Sequence, residues 1–165
     1  MDAFFEYMVK RKKNIADIAY IAFVVIAALG VIIMLLALST TQIASLVFPL
    51  QALTVYIAYR VIVKKNVEFE YCLTNDELDI DTIINKQKRK RIAAVNVKEI
   101  ISMAPTGSEK LGSLAGKKII NVTSGYKDRK VYCMICGDSK AIFFEPRKNM
   151  VLEMQKRNPK NIFVD

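Results

Sequence analysis

IAYIAFVVIAALGVIIMLLALSTTQIASLVFPLQALTVYIAY, residues Ile18 to Tyr59, is a run of 42 residues without one Asp, Glu, Lys or Arg. Charged residues make up 25% of the whole chain, as in an ordinary soluble protein, yet the mean hydropathy is +0.23. The two values agree only when apolar residues are segregated. A soluble globule of 165 residues does not hold such a run. Wholesale disorder, collagen and a disulfide-stapled secreted scaffold are excluded by the same composition.

The run is too long for one membrane span. It divides at Ser39-Thr40-Thr41-Gln42, four polar uncharged residues suited to a tight turn. Ile18 to Leu38 is apolar apart from the Tyr20 hydroxyl, and at ~1.5 Å per residue it covers about 30 Å, one hydrocarbon core. The second span runs over 43–63 and contains Pro49, which withdraws an amide donor and predicts a kink. Backbone in hydrocarbon must satisfy its own hydrogen bonds, so both spans are expected to be helical. The reading is a transmembrane hairpin over 18–63. A cleaved signal peptide competes for the first span, but the apolar stretch exceeds a signal core and a second span follows at once.

Lys10, Arg11, Lys12 and Lys13 precede the first span, Arg60, Lys64 and Lys65 end or follow the second, and the turn is uncharged. The positive-inside rule then predicts a multi-pass cell-membrane protein with both termini cytoplasmic, and Tyr20, Tyr56 and Tyr59 at that interface. No ionisable side chain falls at the bilayer centre, which argues against a proton relay or charged transport site. Ala27, Gly30 and Ala37 on one span, and Ser45 and Ala52 on the other, permit close helix approach, within the hairpin or in a homodimer. Phe4, Phe5 and Met8 beside the basic cluster predict a short interfacial helix in a basic N-terminal segment, residues 1–17.

Residues 64–165 read as a cytoplasmic domain. Val67, Phe69, Tyr71 and Leu73 alternate with polar or small residues, as do Leu78, Ile80, Thr82 and Ile84; this period of two is the strand signal. Thr74-Asn75-Asp76 and Asn85-Lys86 are the expected turns, and Lys88 to Val97 a third strand. Ser102 to Gly116 reads as the longest loop. Strands resume over 118–123, 130–136 and 140–145, with short loops, Gly137-Asp138-Ser139 among them, that predict consecutive antiparallel hairpins. A helix over about 147–157 presents Met150, Val151 and Met154 on one face and stops at Asn158-Pro159. The fold class is an α-helical transmembrane hairpin plus an α+β domain: an antiparallel curled sheet with a C-terminal capping helix.

The order Tyr71-Cys72-Leu73-Thr74, Leu78-Asp79-Ile80, the basic run into Arg91-Ile92, then Val97-Lys98-Glu99-Ile100-Ile101 resembles the opening half of bacterial pleckstrin-homology-like (PH-like) domains. With Phe144-Glu145-Pro146 before the helix, the layout is similar to small membrane proteins of Gram-positive anaerobes in which such a domain accompanies paired membrane helices. The resemblance covers roughly residues 67–165. It implies a seven-stranded, helix-capped sheet and brings no catalytic residue to carry over.

The chain has no histidine, which removes the commonest general base and most nucleophile–base arrangements. Asp79 and Asp81 share a strand face, too few oxygens for a hard cation. Cys133-Met134-Ile135-Cys136-Gly137 has the spacing of a zinc knuckle, but only Cys72 remains as a third thiolate, and positions three apart on a strand face opposite ways. Gly107 and Gly112 have phosphate-loop spacing, but Ser113 stands where that motif needs Lys. The expectation is no metal, no cofactor and no enzymatic activity. The sharpest feature is Lys86-Gln87-Lys88-Arg89-Lys90-Arg91, five cations in six residues. On a membrane-held domain, Lys86, Lys88, Arg89, Lys90 and Arg91 point to anionic lipid headgroups or an acidic protein partner; a solvated hairpin is the plain alternative. Nucleic acid is not an expected partner, because aromatic residues are not interleaved with the run. The function so read is a non-enzymatic, membrane-anchored interaction module. The alternative is an accessory subunit of a larger membrane complex, bound through its hairpin.

Overall fold

A computed structural model describes residues 4–40, 44–137 and 140–164. The chain forms two compact units, Lys13–Asn66, and Met1–Lys12 together with Val67–Asp165.

The first unit is a pair of helices, α1 (Ile15–Ala37) and α2 (Ala44–Val63). Leu38–Thr40 form a 3-10 turn; Thr41 and Gln42 of the expected turn lie outside the described residues, as do Asp138 and Ser139 of another. The Asn14 N–H donates to Asp17 Oδ2 at 3.4 Å and starts α1, and the other oxygen of Asp17 accepts from Lys65 Nζ at 2.9 Å. A charge that precedes the uncharged run thus pairs with one that follows it. Lys65 lies over the Tyr20 ring at 4.8 Å and Arg60 over Tyr56 at 5.9 Å. α2 continues through Pro49. Both helices are long and apolar enough to cross a membrane. They expose their large side chains, Phe23 at 69% and Phe48 at 79% among them, as lipid-facing helices do.

The second unit is a two-sheet α+β fold. β1 (Phe4–Lys10), β2 (Val67–Thr74), β3 (Glu77–Ile84) and β4 (Lys88–Asn96) make one antiparallel sheet in that order. β5 (Ile100–Pro105), β6 (Lys118–Asn121), β7 (Tyr132–Cys136) and β8 (Lys140–Phe144) make the other, in the order β5-β7-β8-β6. Apolar residues of alternate positions meet between the sheets, Tyr71, Leu73, Leu78 and Ile80 against Met134, Ile142 and Phe144. α3 (Lys148–Arg157) adds Met150, Val151 and Met154 to this core. Beyond α3, buried Asn158 donates from Nδ2 to the carbonyls of Val97 and Ile100, both at 3.0 Å, and so closes the corner between β4 and β5.

Three expectations are corrected. Phe4–Lys10 is a strand, not an interfacial helix: it pairs with β2 from Phe4↔Thr74 to Lys10↔Glu68, and Phe5, Tyr7 and Val9 turn to the core. Ser102 to Pro105 belong to β5 rather than to the long loop. Residues 106–117 fold back onto this region, with Ser102 Oγ donating to the Lys110 carbonyl at 3.0 Å, and Ser102, Met103 and Ala104 are buried in succession while Ile101 stays exposed. β6 is not in a hairpin with β7; it lies parallel to β8, from Lys118↔Lys140 to Asn121↔Phe143. The intervening residues 122–131 pass the chain across before β7, which a tight turn cannot do.

Tyr71 is the central polar anchor. Its ring packs edge-on against Phe144 at 5.6 Å, its hydroxyl donates to the Val122 carbonyl at 2.6 Å, and it accepts from the Glu145 N–H at 3.4 Å. Burial raises the phenol well above its ordinary range, so it stays a donor at every physiological pH. Tyr71→Phe should leave a buried carbonyl unpaired and cost about 1–3 kcal/mol, read as a lower thermal unfolding midpoint of the full chain in detergent; an unchanged midpoint would remove Tyr71 from this role.

Candidate functional site

The β3–β4 hairpin carries the five cations. Its turn, Ile84 to Gln87, closes with the Gln87 N–H donating to the Ile84 carbonyl at 3.1 Å. Asn85 and Lys86 both hold positive φ, 51° and 55°. Two such residues in succession define the hairpin turn whose twist matches the strands, for which Asn-Gly is the usual pair. Lys86 therefore holds a conformation that glycine adopts without strain.

On β4 a bulge decides where the remaining cations point. Ile80 pairs with Ala93, but Asp81 pairs with Arg91, which leaves Ile92 as the extra residue. In a regular ladder with Ile92 opposite Asp81, Arg91 and Arg89 would oppose Thr82 and Ile84, on the inner side of the sheet. The bulge shifts the register by one and turns every later side chain over. Arg91 and Arg89 fall on the outer face, and Lys90 and Lys88 on the side of Thr82 and Ile84.

That outer face is acidic. Arg89 meets Glu70 at 2.5 Å and lies 3.8 Å from Asp81; Arg91 meets Asp79 at 2.9 Å and lies 3.7 Å from Asp81. Glu70 and Asp81 are buried. Burial pushes the Glu70 carboxyl above its ordinary value and Arg89 opposes this, while a hydrogen bond shared with Glu6 of β1 adds to the rise. Asp81 Oδ1 has no hydrogen bond among the described residues, and the Arg91 contact at 3.7 Å is electrostatic only. Asp79 and Asp81 are thus the counterions of two arginines. Among the described residues no ion pair engages Lys86, Lys88 or Lys90, and all three are exposed. The sequence run of five is in space a pair of internally neutralised arginines and a trio of exposed lysines.

The other candidates fall elsewhere. Cys133 and Cys136 both lie on β7; burial pushes each thiol up to about 11, so both stay protonated and unreactive at neutral pH. Among the described residues no group of three or more His, Cys, Asp or Glu is placed to hold a metal ion. Gly112 lets the loop approach the sheet, since a Cβ there would stand 3.3 Å from Ile135 Cδ1.

A further cluster has no period in the sequence. Buried Glu145 accepts from the Ser124 N–H at 3.0 Å and Oγ at 2.9 Å, and its second oxygen lies 3.9 Å from Arg129. Arg129 donates to the Tyr7 hydroxyl at 3.2 Å, and Arg147 lies over the Tyr7 ring at 4.5 Å. The Phe144-Glu145-Pro146 stretch was the visible signal; its partners come from β1 and the 122–131 segment. These contacts lock β1 to the second sheet.

The family described as "Bacterial PH-like domain (DUF6106)" matches residues 1–164, and the chain belongs to that family. The match includes β1 and both apolar helices. No curated protein and no solved structure matches the chain. PH-like domains are in general non-catalytic binding modules.

Replacing Arg89 by Met leaves Glu70 and Asp81 without that countercharge. Arg89 is largely exposed, so the loss is on the order of 1–2 kcal/mol. The sign of the pH effect follows from the raised Glu70: folding takes up a proton, so its contribution is most favourable below the ordinary carboxylate range and declines as pH rises through the folded value. In Arg89→Met this decline should extend to higher pH, measured as a larger drop in denaturation midpoint between about pH 5 and about pH 8 than in the parent. Equal drops would show that Arg89 does not govern Glu70.

Proposed function

We propose that this PH-like protein is a membrane-anchored interaction module, held by its helical hairpin at the cytoplasmic face, whose Lys86, Lys88 and Lys90 contact anionic lipid headgroups. The observation that carries the reading is the division of the basic run. Arg89 and Arg91 are spent on the domain's own carboxylates, whereas three lysines are exposed and free of ion pairs among the described residues. One of them, Lys86, stands at positive φ where glycine is unstrained; a cation kept at a conformational cost of about 1 kcal/mol points to a use for its charge.

Membrane anchoring rests on α1 and α2, and orientation on the flanking cations, Lys10 to Lys13 before the pair and Arg60, Lys64 and Lys65 at its end. Chain connectivity supports the same assignment. β1 ends at Lys10 and α1 begins at Ile15; α2 ends at Val63 and β2 begins at Val67. The tethers are short, so even weak attraction acts at high effective concentration. Each exposed lysine near an acidic leaflet contributes on the order of 1 kcal/mol within a Debye length of about 8 Å.

A second reading makes the hairpin the binding element of an accessory subunit. A groove of about 340 Å³ along the two helices, lined by Tyr20, Phe23, Ala27, Ala28, Thr54 and Ala58, favours it. Of the small-residue face read from sequence, Ala27 lines this groove and Gly30 and Ala37 do not. Under this reading Ala27→Leu with Ala58→Leu abolishes co-purification of a membrane partner, and under the primary reading it does not.

The primary reading is tested with the full chain in nanodiscs. Discs of phosphatidylcholine with about one third phosphatidylserine should slow amine acetylation of Lys86, Lys88 and Lys90 relative to phosphatidylcholine alone, and salt should restore the rate. Equal rates in the two discs would exclude lipid contact. Green fluorescent protein fused after Asp165 should fluoresce, as it does on the cytoplasmic side; a dark fusion would reverse the orientation.

A further inference from the structure

The sheet edges of the PH-like unit are treated differently. The outer edge of β5 is taken by an extended stretch of the chain's own C-terminal segment: the Met103 N–H donates to the Asn161 carbonyl and the Phe163 N–H to the Met103 carbonyl, both at 2.8 Å. β4 is the last strand of its sheet, and among the described residues no strand pairs with its outer edge. Beside its second half runs a groove of about 460 Å³, with Ile92 and Ala93 on one wall and Cys136 and Ile142 on the other. Lys140 and Arg91 also line it, with Glu99 as the single carboxylate. The first half of the same strand carries Lys88 and Lys90.

An unpaired edge beside an apolar groove is the geometry to which an extended segment adds as one more strand, with backbone hydrogen bonds along the edge and alternate side chains in the groove. Ile92 to Asn96 at ~3.3 Å per residue gives about 17 Å, room for a strand of five residues. Charge selects the occupant. Cations along an exposed edge discourage pairing with another copy, because two such edges repel. They favour a segment whose acidic residues come to lie beside Lys88, Lys90 and Lys140. The bulge at Ile92 separates the two requirements, a basic half before it and an apolar half after it.

We infer that the free edge of β4 and its groove dock an extended segment of a partner protein, acidic at one end and alternately apolar along the rest. This surface shares Lys88 and Lys90 with the lipid contact proposed above and is told apart from it by the groove and by Lys140, which lies outside the hairpin turn.

The test uses the full chain in phosphatidylcholine nanodiscs and a fluorescent peptide, acetyl-Asp-Glu-Asp-Ile-Thr-Val-Thr-Val-amide. Anisotropy should report saturable binding, and hydrogen exchange should slow at Ile92 to Asn96. A control peptide with Lys at the three acidic positions should bind at least about tenfold more weakly. Lys140→Glu should weaken the acidic peptide by a similar factor while lysine acetylation at Lys86, Lys88 and Lys90 in acidic discs stays as in the parent. Overturning results are no binding, protection at the edges of β1 or β6 instead of β4, or equal affinity for the two peptides. Slowed exchange at Ile92 to Asn96 with acidic lipid alone, and none with peptide, would make the groove a lipid surface and equally refute the proposal.

Discussion

Everything in this chain hangs on the pairing of β1 with β2, two strands that are neighbours in space and separated in sequence by both apolar helices. The ladder runs the whole length of β1 and brings Lys10 opposite Glu68. A strand that precedes a membrane crossing and a strand that follows one can pair only on one side of the bilayer. For helices that cross, the ladder therefore admits an even number of crossings and rejects an odd one. The Asp17–Lys65 pair and the short tethers carry the same logic at the ends of the hairpin. The N-terminal strand also emerges from the ribosome long before its partner, so the domain is completed only after the hairpin has been made.

The second organising element is electrostatic. Glu70 and Asp81 are buried on a sheet face and would be costly there alone. Arg89 and Arg91 reach across from β4 to meet them. Part of the basic run is thereby explained by fold rather than by function, and the part left over becomes more informative. Within the run, Lys86, Lys88 and Lys90 are the cations that no ion pair engages among the described residues. The same argument disposes of Asp79 and Asp81 as a cation site, since each already faces a guanidinium.

Much of the architecture was legible because its elements carry strong periods. The uncharged run gives two helices, β2 and β3 alternate cleanly about a one-sided core, and Met150, Val151 and Met154 mark the buried face of α3. The misreadings have physical causes. Phe5, Tyr7 and Val9 do alternate, but their partner strand lies beyond the hairpin, and the adjacent cations gave the stretch the look of an interfacial helix. Ser102, Met103 and Ala104 show no alternation because β5 is covered on both faces at those three residues. The parallel β6–β8 pairing depends on a crossing that no local pattern encodes. The basic run was visible as a site, but its division was not, because charge composition is silent about register.

That division has a consequence for how such a surface can change. The side on which each cation lies is fixed by counting residues along β4, with Ile92 as the odd member. Loss of Ile92 would leave every other pairing as it is, whereas a ladder that took Ile92 in, opposite Asp81, would bring Lys90 and Lys88 to the face of the carboxylates and release both arginines to the opposite side. The chain would keep its net charge, and every acidic and basic residue, while exchanging flexible ammonium groups for planar guanidinium forks on its exposed hairpin. Guanidinium groups bind carboxylate and phosphate in paired hydrogen bonds where ammonium groups act as point charges. In this domain a slip of one residue in register is a change of ligand chemistry made without any substitution.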